Sequence, residues 1–196
     1  PHWEPLINDA PWQRIERHGQ DPALQSDNRW GFRLQVPELL YNRGELVNLS
    51  VARGTLSAEE RFKINEHIVQ TVVMLTRLPY PRHLRGVPEI AGAHHERMDG
   101  TGYPRRLTQA QMSVPARIMA IADVFEALTA ADRPYKPANS LSEALALMAG
   151  MAATQHIDAE LFALFVRSGV ARRYAERFMS AQQLDELDAE ALLQAL

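Results

Sequence analysis

A predominantly helical fold is predicted by three observations. Side-chain caps recur just ahead of apolar-periodic segments, the apolar residues between them return at helical spacing, and Pro and Gly fall at the segment boundaries. Ser57-Ala-Glu-Glu60 is a capping box, in which the Ser57 hydroxyl takes the Glu60 amide proton while Glu60 reaches back to the Ser57 N–H. The helix that follows is expected to run to about Leu78, before Pro79 and Pro81, with Ile64, Ile68, Thr71, Leu75 and Leu78 as its buried stripe. Ser113, with Pro115 in the first turn, starts a helix to about Ala131. Ile118, Ile121, Ala122, Phe125 and Leu128 line one side of it and Ala116, Ala120, Asp123 and Ala127 the other, so it is expected to be apolar nearly all round and central. Ser140 or Ser142 starts a helix through Met151, Asp158 caps another to about Arg167, and Gly169 separates it from Val170 to Phe178. Leu184, Leu187, Ala191, Leu192 and Leu196 make residues 184–196 an acidic amphipathic tail suited to packing or dimer contact.

The N-terminal residues 1–36 are rich in Pro, Trp, Gln, Asn and Asp and hold no sustained period. A short helix is expected around Trp12 to His18. Trp3, Trp12 and Trp30 are costly to expose, so parts of the segment are expected to pack on the main body, residues 37–183. An irregular wrap and a linker remnant are the two readings of it. The start, Pro-His-Trp, reads as a fragment boundary.

Composition narrows the chemistry. The chain has 196 residues, 46% of them hydrophobic, enough for a real core. It contains no cysteine, so a metal could be held only by His, Asp, Glu or water, which suits Fe, Mn, Zn, Ni or Mg. The formal charge of −3 gives no global case for nucleic-acid binding. No run of about 18 apolar residues suggests a membrane span, and the cytoplasm is the expected compartment.

The chemistry-bearing stretch is His94 to Pro104, HHERMDGTGYP. Two adjacent imidazoles precede Glu96 and Asp99, and Gly100 and Gly102 let the backbone turn back toward whatever the histidines hold. A helix starting near Val87 and Pro88 is expected to carry on to His94 and His95. Residues adjacent on a helix point about 100° apart, which suits each to a different member of a close metal pair. His67 lies within the expected stripe of its helix, where a satisfied core histidine and a metal ligand are the alternatives. Asp123 among alanines needs a metal or a salt bridge to Arg117 or Arg133. Residues 97–136 carry six cations against four anions, +2 in a chain of −3. That local field suits a phosphate-bearing substrate, or is ordinary surface charge.

HHERMDGTGYP and the following ARIMAIADVFEALTAADRPYK, Ala116 to Lys136, closely resemble the HD-GYP branch of the HD phosphohydrolase superfamily. The resemblance extends from about Glu38 to Asp158. It implies an all-α helical bundle holding two or three divalent ions, often Fe or Mn. The implied activity is that of a phosphodiesterase opening cyclic di-GMP to pGpG and in some members to GMP. By the same resemblance His67, His94, His95 and Asp123 are metal ligands, Tyr103 contacts substrate, Arg133 and Lys136 grip guanine and phosphate, and Glu126 and Asp99 lie on the substrate side. A diguanylate cyclase domain or an upstream sensor domain is an implied partner, and a homodimer an open one. The family's first signature, a His-Asp dyad with a nearby Lys, is not found: no His in this chain is followed by Asp. The expectation is that the dyad precedes Pro1; the alternative is an inactive module that binds cyclic di-GMP or docks a partner.

Overall fold

A computed structural model describes residues 9–17, 28–51, 56–131 and 138–194. The chain divides into two compact units, Pro1–Pro79 and Tyr80–Leu196. Helices dominate, as expected, with one two-stranded ribbon added.

In the first unit the expected helix around Trp12 is absent. Pro11–Gln13 forms a single tight turn and leads straight into strand β1, Arg14–Glu16. That strand pairs antiparallel with β2, Leu39–Asn42, matching Ile15 to Tyr41. So short a helix would be marginal by itself, and pairing with a distant strand satisfies the same amides. Trp12 is 80% exposed, against expectation, whereas Trp30 stacks on Phe32 beside Val69, Val72 and Val73. Trp3 lies outside the described residues. After the short helix α1, Glu45–Leu49, comes α2, Ala58–Leu75, and here the capping box is formed. The Glu60 N–H donates to Ser57 Oγ at 3.2 Å, and the Ser57 N–H to Glu60 Oε2 at 2.8 Å.

The buried face of α2 is not the expected one. Phe62, Glu66, Ile68, Val69, Val72 and Val73 are buried, while Ile64 is 54% exposed and Leu78 is exposed beyond the helix end. The valines at 69, 72 and 73 form the face that closes over Phe32. The helix stops at Thr76 rather than Leu78 because the Thr76 hydroxyl bonds back to the Val72 carbonyl and accepts from the Trp30 indole N–H.

The second unit contains α3, Val87–Gly92; α4, Val114–Thr129; α5, Leu141–Ala153; α6, Ala159–Arg167; α7, Val170–Phe178; and α8, Ala189–Gln194. The caps are those anticipated: Ser113, Ser140 and Asp158 each accept a first-turn N–H, and Gly169 adopts a left-handed conformation between α6 and α7. Leu141, Leu145 and Met148 of α5 are fully buried with Phe162, and Phe125 meets Phe165 and Tyr174 edge-on. Leu184, Leu187 and Leu192 of the C-terminal tail pack on this core. α4 is less central than its composition suggests. It buries Ala116, Ala120, Ile121 and Phe125 but leaves Ile118, Met119 and Ala122 exposed.

One buried charge ties the unit together. Asp158 is 1% exposed; besides capping α6 through the Leu161 N–H at 3.0 Å, it receives the Arg117 guanidinium from α4 and the Gln109 amide at 3.0 Å. Burial pushes its carboxyl upward, yet these hydrogen bonds and the Arg117 charge outweigh that and hold it below the usual carboxylate range. Asp158→Asn is therefore expected to lose about 3 kcal/mol in denaturant unfolding, since Arg117 is left without its counter-charge. Because the folded value is depressed, the stabilisation is complete above the unfolded value near 4 and disappears as pH falls through the folded one. The acid-side slope of stability should thus be shallower in Asp158→Asn, as measured by unfolding between roughly pH 5 and 2. In the first unit, Ser57→Ala is expected to cost about 1 kcal/mol by the same assay.

Candidate metal and substrate site

The site in the second unit is built on the turn that ends α3. The helix closes at Gly92 with Ala93 as its C-cap, so His94 and His95 sit in a turn and not on a helix as expected. The 100° helical spacing therefore does not apply to them. Their ring centroids lie 4.1 Å apart, tilted by 50°. His94 Nδ1 lies 2.7 Å from the Ala91 carbonyl. A proton on that nitrogen puts the ring's lone pair on Nε2, the arrangement typical of a metal-binding histidine anchored through its other nitrogen.

Asp123, on α4, brings its Oδ2 to 3.7 Å from His95 Nδ1. Two donors of one ion, with bonds of about 2.0–2.2 Å, stand at most about 4.4 Å apart, so this pair lies within the span of a shared cation. Imidazole and carboxylate donors suit borderline divalent ions, and the His95–Asp123 pair fits such a metal. The salt bridge considered for Asp123 is not formed with Arg117, which is committed to Asp158.

The loop after the histidines folds back over them. Glu96 is 1% exposed, and its two oxygens accept the Arg105 N–H at 2.6 Å and the Leu107 N–H at 2.9 Å. Gly102 crosses the backbone of Glu96 so closely that a Cβ there would stand 2.5 Å from Glu96 Cα and collide with the Arg97 nitrogen. Gly100, at φ +80°, supplies the left-handed bend before it. The Tyr103 N–H then donates to the His95 carbonyl at 3.2 Å, and the Tyr103 ring lies 4.9 Å from the His95 ring. The Tyr103–Pro104 peptide is cis.

The electrostatics follow from this packing. Burial and, less strongly, the Asp123 charge push the Tyr103 hydroxyl up, so it stays protonated and can donate at neutral pH. Glu96 is also pushed up by burial, against the backbone bonds that stabilise its charge. Asp99 is held low by the Thr101 N–H at 2.8 Å and the Thr101 hydroxyl at 2.7 Å, so its exposed carboxylate closes a turn. His156, from the turn before α6, is pushed down by burial and by the nearby Arg97 charge.

His94, His95, Tyr103 and Asp123 are thus assembled within one unit. Glu126 is exposed one turn after Asp123 on α4. His67 belongs to the first unit, on α2, where it is exposed and its Nδ1 lies 2.6 Å from the Ile64 carbonyl, the same ring anchoring as in His94. Arg133 and Lys136 lie outside the described residues. The reading from sequence missed the work of Glu96 inside the motif. Its signal was a carboxylate just ahead of a Gly-x-Gly turn whose inward-facing amides need an acceptor. Among the described residues no helix is long and apolar enough to cross a membrane.

A family model described as "HD domain" matches residues 4–161. A 3′3′-cGAMP-specific phosphodiesterase of Vibrio cholerae is 49% identical over 82 residues, 42% of this chain and 19% of the relative. A second from the same organism is 40% identical over 111 residues, 56% of this chain and 23% of the relative. A cyclic di-GMP phosphodiesterase of Pseudomonas aeruginosa is 44% identical over 82 residues, 42% of this chain and 19% of the relative. The match therefore spans about a fifth of the length of these relatives. With a family model covering most of its length and the paired-histidine, glycine-rich motif in place, the chain belongs to the HD domain family, in its HD-GYP branch.

Proposed function

We propose that this chain is part of a metal-dependent phosphodiesterase that opens a cyclic dinucleotide, cyclic di-GMP, to linear pGpG. The observation that carries the reading is the grouping of His94, His95 and Asp123 under a loop that lays Tyr103 against His95. The named activities of the relatives, cyclic di-GMP and 3′3′-cGAMP phosphodiesterases, support a cyclic dinucleotide as the substrate class.

In this reading His94, His95 and Asp123 hold divalent ions, Fe or Mn by preference, and His67 is a further ligand. The anchoring of the His94 and His67 rings through Nδ1 supports Nε2 as the ligating atom of each. Bound ions would lower the pKa of the attacking water and neutralise the phosphoryl oxygens. The water oxygen bonds to phosphorus, the bond from phosphorus to the ribose 3′ oxygen breaks, and that oxygen leaves with a proton. Tyr103 contributes a hydrogen-bond donor toward substrate, and Arg133 and Lys136 supply the positive charge that meets guanine and phosphate. Asp99 and Glu126 border the substrate, and a diguanylate cyclase or sensor domain is the partner of the whole protein.

A second reading rests on one observation, that no His here is followed by Asp. Lacking the dyad, the chain would bind the dinucleotide without cleaving it. Incubation of the full-length protein with Mn2+ and either cyclic di-GMP or 3′3′-cGAMP, resolved by chromatography, separates the two. The enzyme reading expects pGpG from cyclic di-GMP and a linear adenosine–guanosine dinucleotide from 3′3′-cGAMP; binding with no product and no stoichiometric metal supports the module. His94→Ala and Asp123→Ala are expected to lower bound metal by more than about tenfold and abolish turnover with the helical circular dichroism unchanged. Parental metal content and rate in either variant would remove that residue from the mechanism.

A further inference from the structure

We propose that Glu96 is the positioning residue of the substrate site: its buried carboxylate holds the 96–107 loop closed so that Tyr103 stays against the His95 ring, and it thereby governs dinucleotide binding without holding metal. This rests on the dinucleotide reading above. Three independent features converge on it. Both Glu96 oxygens are occupied by backbone N–H groups from the far end of the loop, Arg105 and Leu107. Gly102 lies directly on the Glu96 backbone with no room for a side chain. Between these two constraints the chain has little freedom, and Tyr103 is the residue it presents, tied by its own N–H to the His95 carbonyl.

The rest of the loop is held from outside. The Asp99 N–H donates to the Gln155 carbonyl at 3.2 Å and the Gln109 N–H to the Met98 carbonyl at 3.1 Å, which fixes both margins but not the 102–105 segment. Glu96 reaches that segment's end from within, at the Arg105 N–H. Each of its oxygens accepts a backbone N–H from the loop, so its carboxylate serves the shape of the loop.

A carboxylate can accept both N–H groups, whereas the isosteric amide has one acceptor and must turn an N–H2 toward the other donor. In Glu96→Gln one of the two bonds is lost and the Tyr103 segment loosens. The decisive experiment measures cyclic di-GMP affinity by calorimetry for the Mn2+-loaded parent, Glu96→Gln, Tyr103→Ala and the double variant, together with the Mn content of each. Amide hydrogen exchange over 96–108 is followed in the same proteins without ligand. Glu96→Gln is expected to weaken binding about tenfold, at parental Mn content, with faster exchange confined to the loop. The double variant should bind no more weakly than Tyr103→Ala alone, because Glu96 acts through Tyr103. Glu96→Asp, which keeps both acceptors one methylene short, should fall between parent and Glu96→Gln.

Unchanged exchange in Glu96→Gln, a fall in Mn content parallel to affinity, or effects that multiply in the double variant would each overturn the role assigned to Glu96. A parent that holds Mn2+ but does not bind cyclic di-GMP would instead overturn the dinucleotide reading, and the binding role of Glu96 with it. Loosened exchange in Glu96→Gln would then still report what the carboxylate does to the loop.

Discussion

The site depends on a single close approach, the passage of residue 102 over the backbone of Glu96. Only a glycine fits there, and only a carboxylate beneath it can serve two inward-facing amides at once. Burying that charge costs free energy that solvent would otherwise supply, which is why its proton affinity rises despite two strong hydrogen bonds. Desolvation and hydrogen bonding thus pull in opposite directions on one group. The outcome is a short loop with a defined shape in a stretch that has almost no regular secondary structure.

Around that loop the chemistry is set by where α3 stops. Ending the helix at Gly92 frees His94 and His95 from helical spacing, and both rings come within 4.1 Å of each other. α4 supplies Asp123 from a half-exposed face, while on the same helix Arg117 turns the other way to the buried Asp158. One helix therefore carries a structural ion pair and a candidate ligand six residues apart. The two do not compete because the guanidinium is held by a fully buried acceptor.

Local chemistry was legible in the sequence, and long-range choice was not. The caps at Ser57, Ser113, Ser140 and Asp158 and the break at Gly169 depend on residues within a turn of one another, and each is found where its side chain places it. Which face of a helix is buried depends on what arrives from elsewhere. On α2 the valines turned toward Phe32 prevail, leaving Ile64 and Leu78 exposed. In place of the helix expected around Trp12 there is a tight turn followed by strand β1, whose partner, Leu39–Asn42, lies more than twenty residues away and so gives no local signal. Of the site, the paired histidines and Asp123 could be picked out from residue type and spacing, and Tyr103 from the family resemblance. The service of Glu96 could not, because it is defined by amides nine and eleven residues further along.

The central claim is that His94, His95 and Asp123 together hold a divalent cation. Crystals of the chain grown with Mn2+ and measured at the manganese absorption edge test it directly. The account predicts an anomalous peak within bonding distance, about 2.0–2.3 Å, of a ring nitrogen from the paired histidines and of the Asp123 carboxylate. A well-ordered site with no such peak, or with manganese bound only elsewhere on the chain, would contradict it.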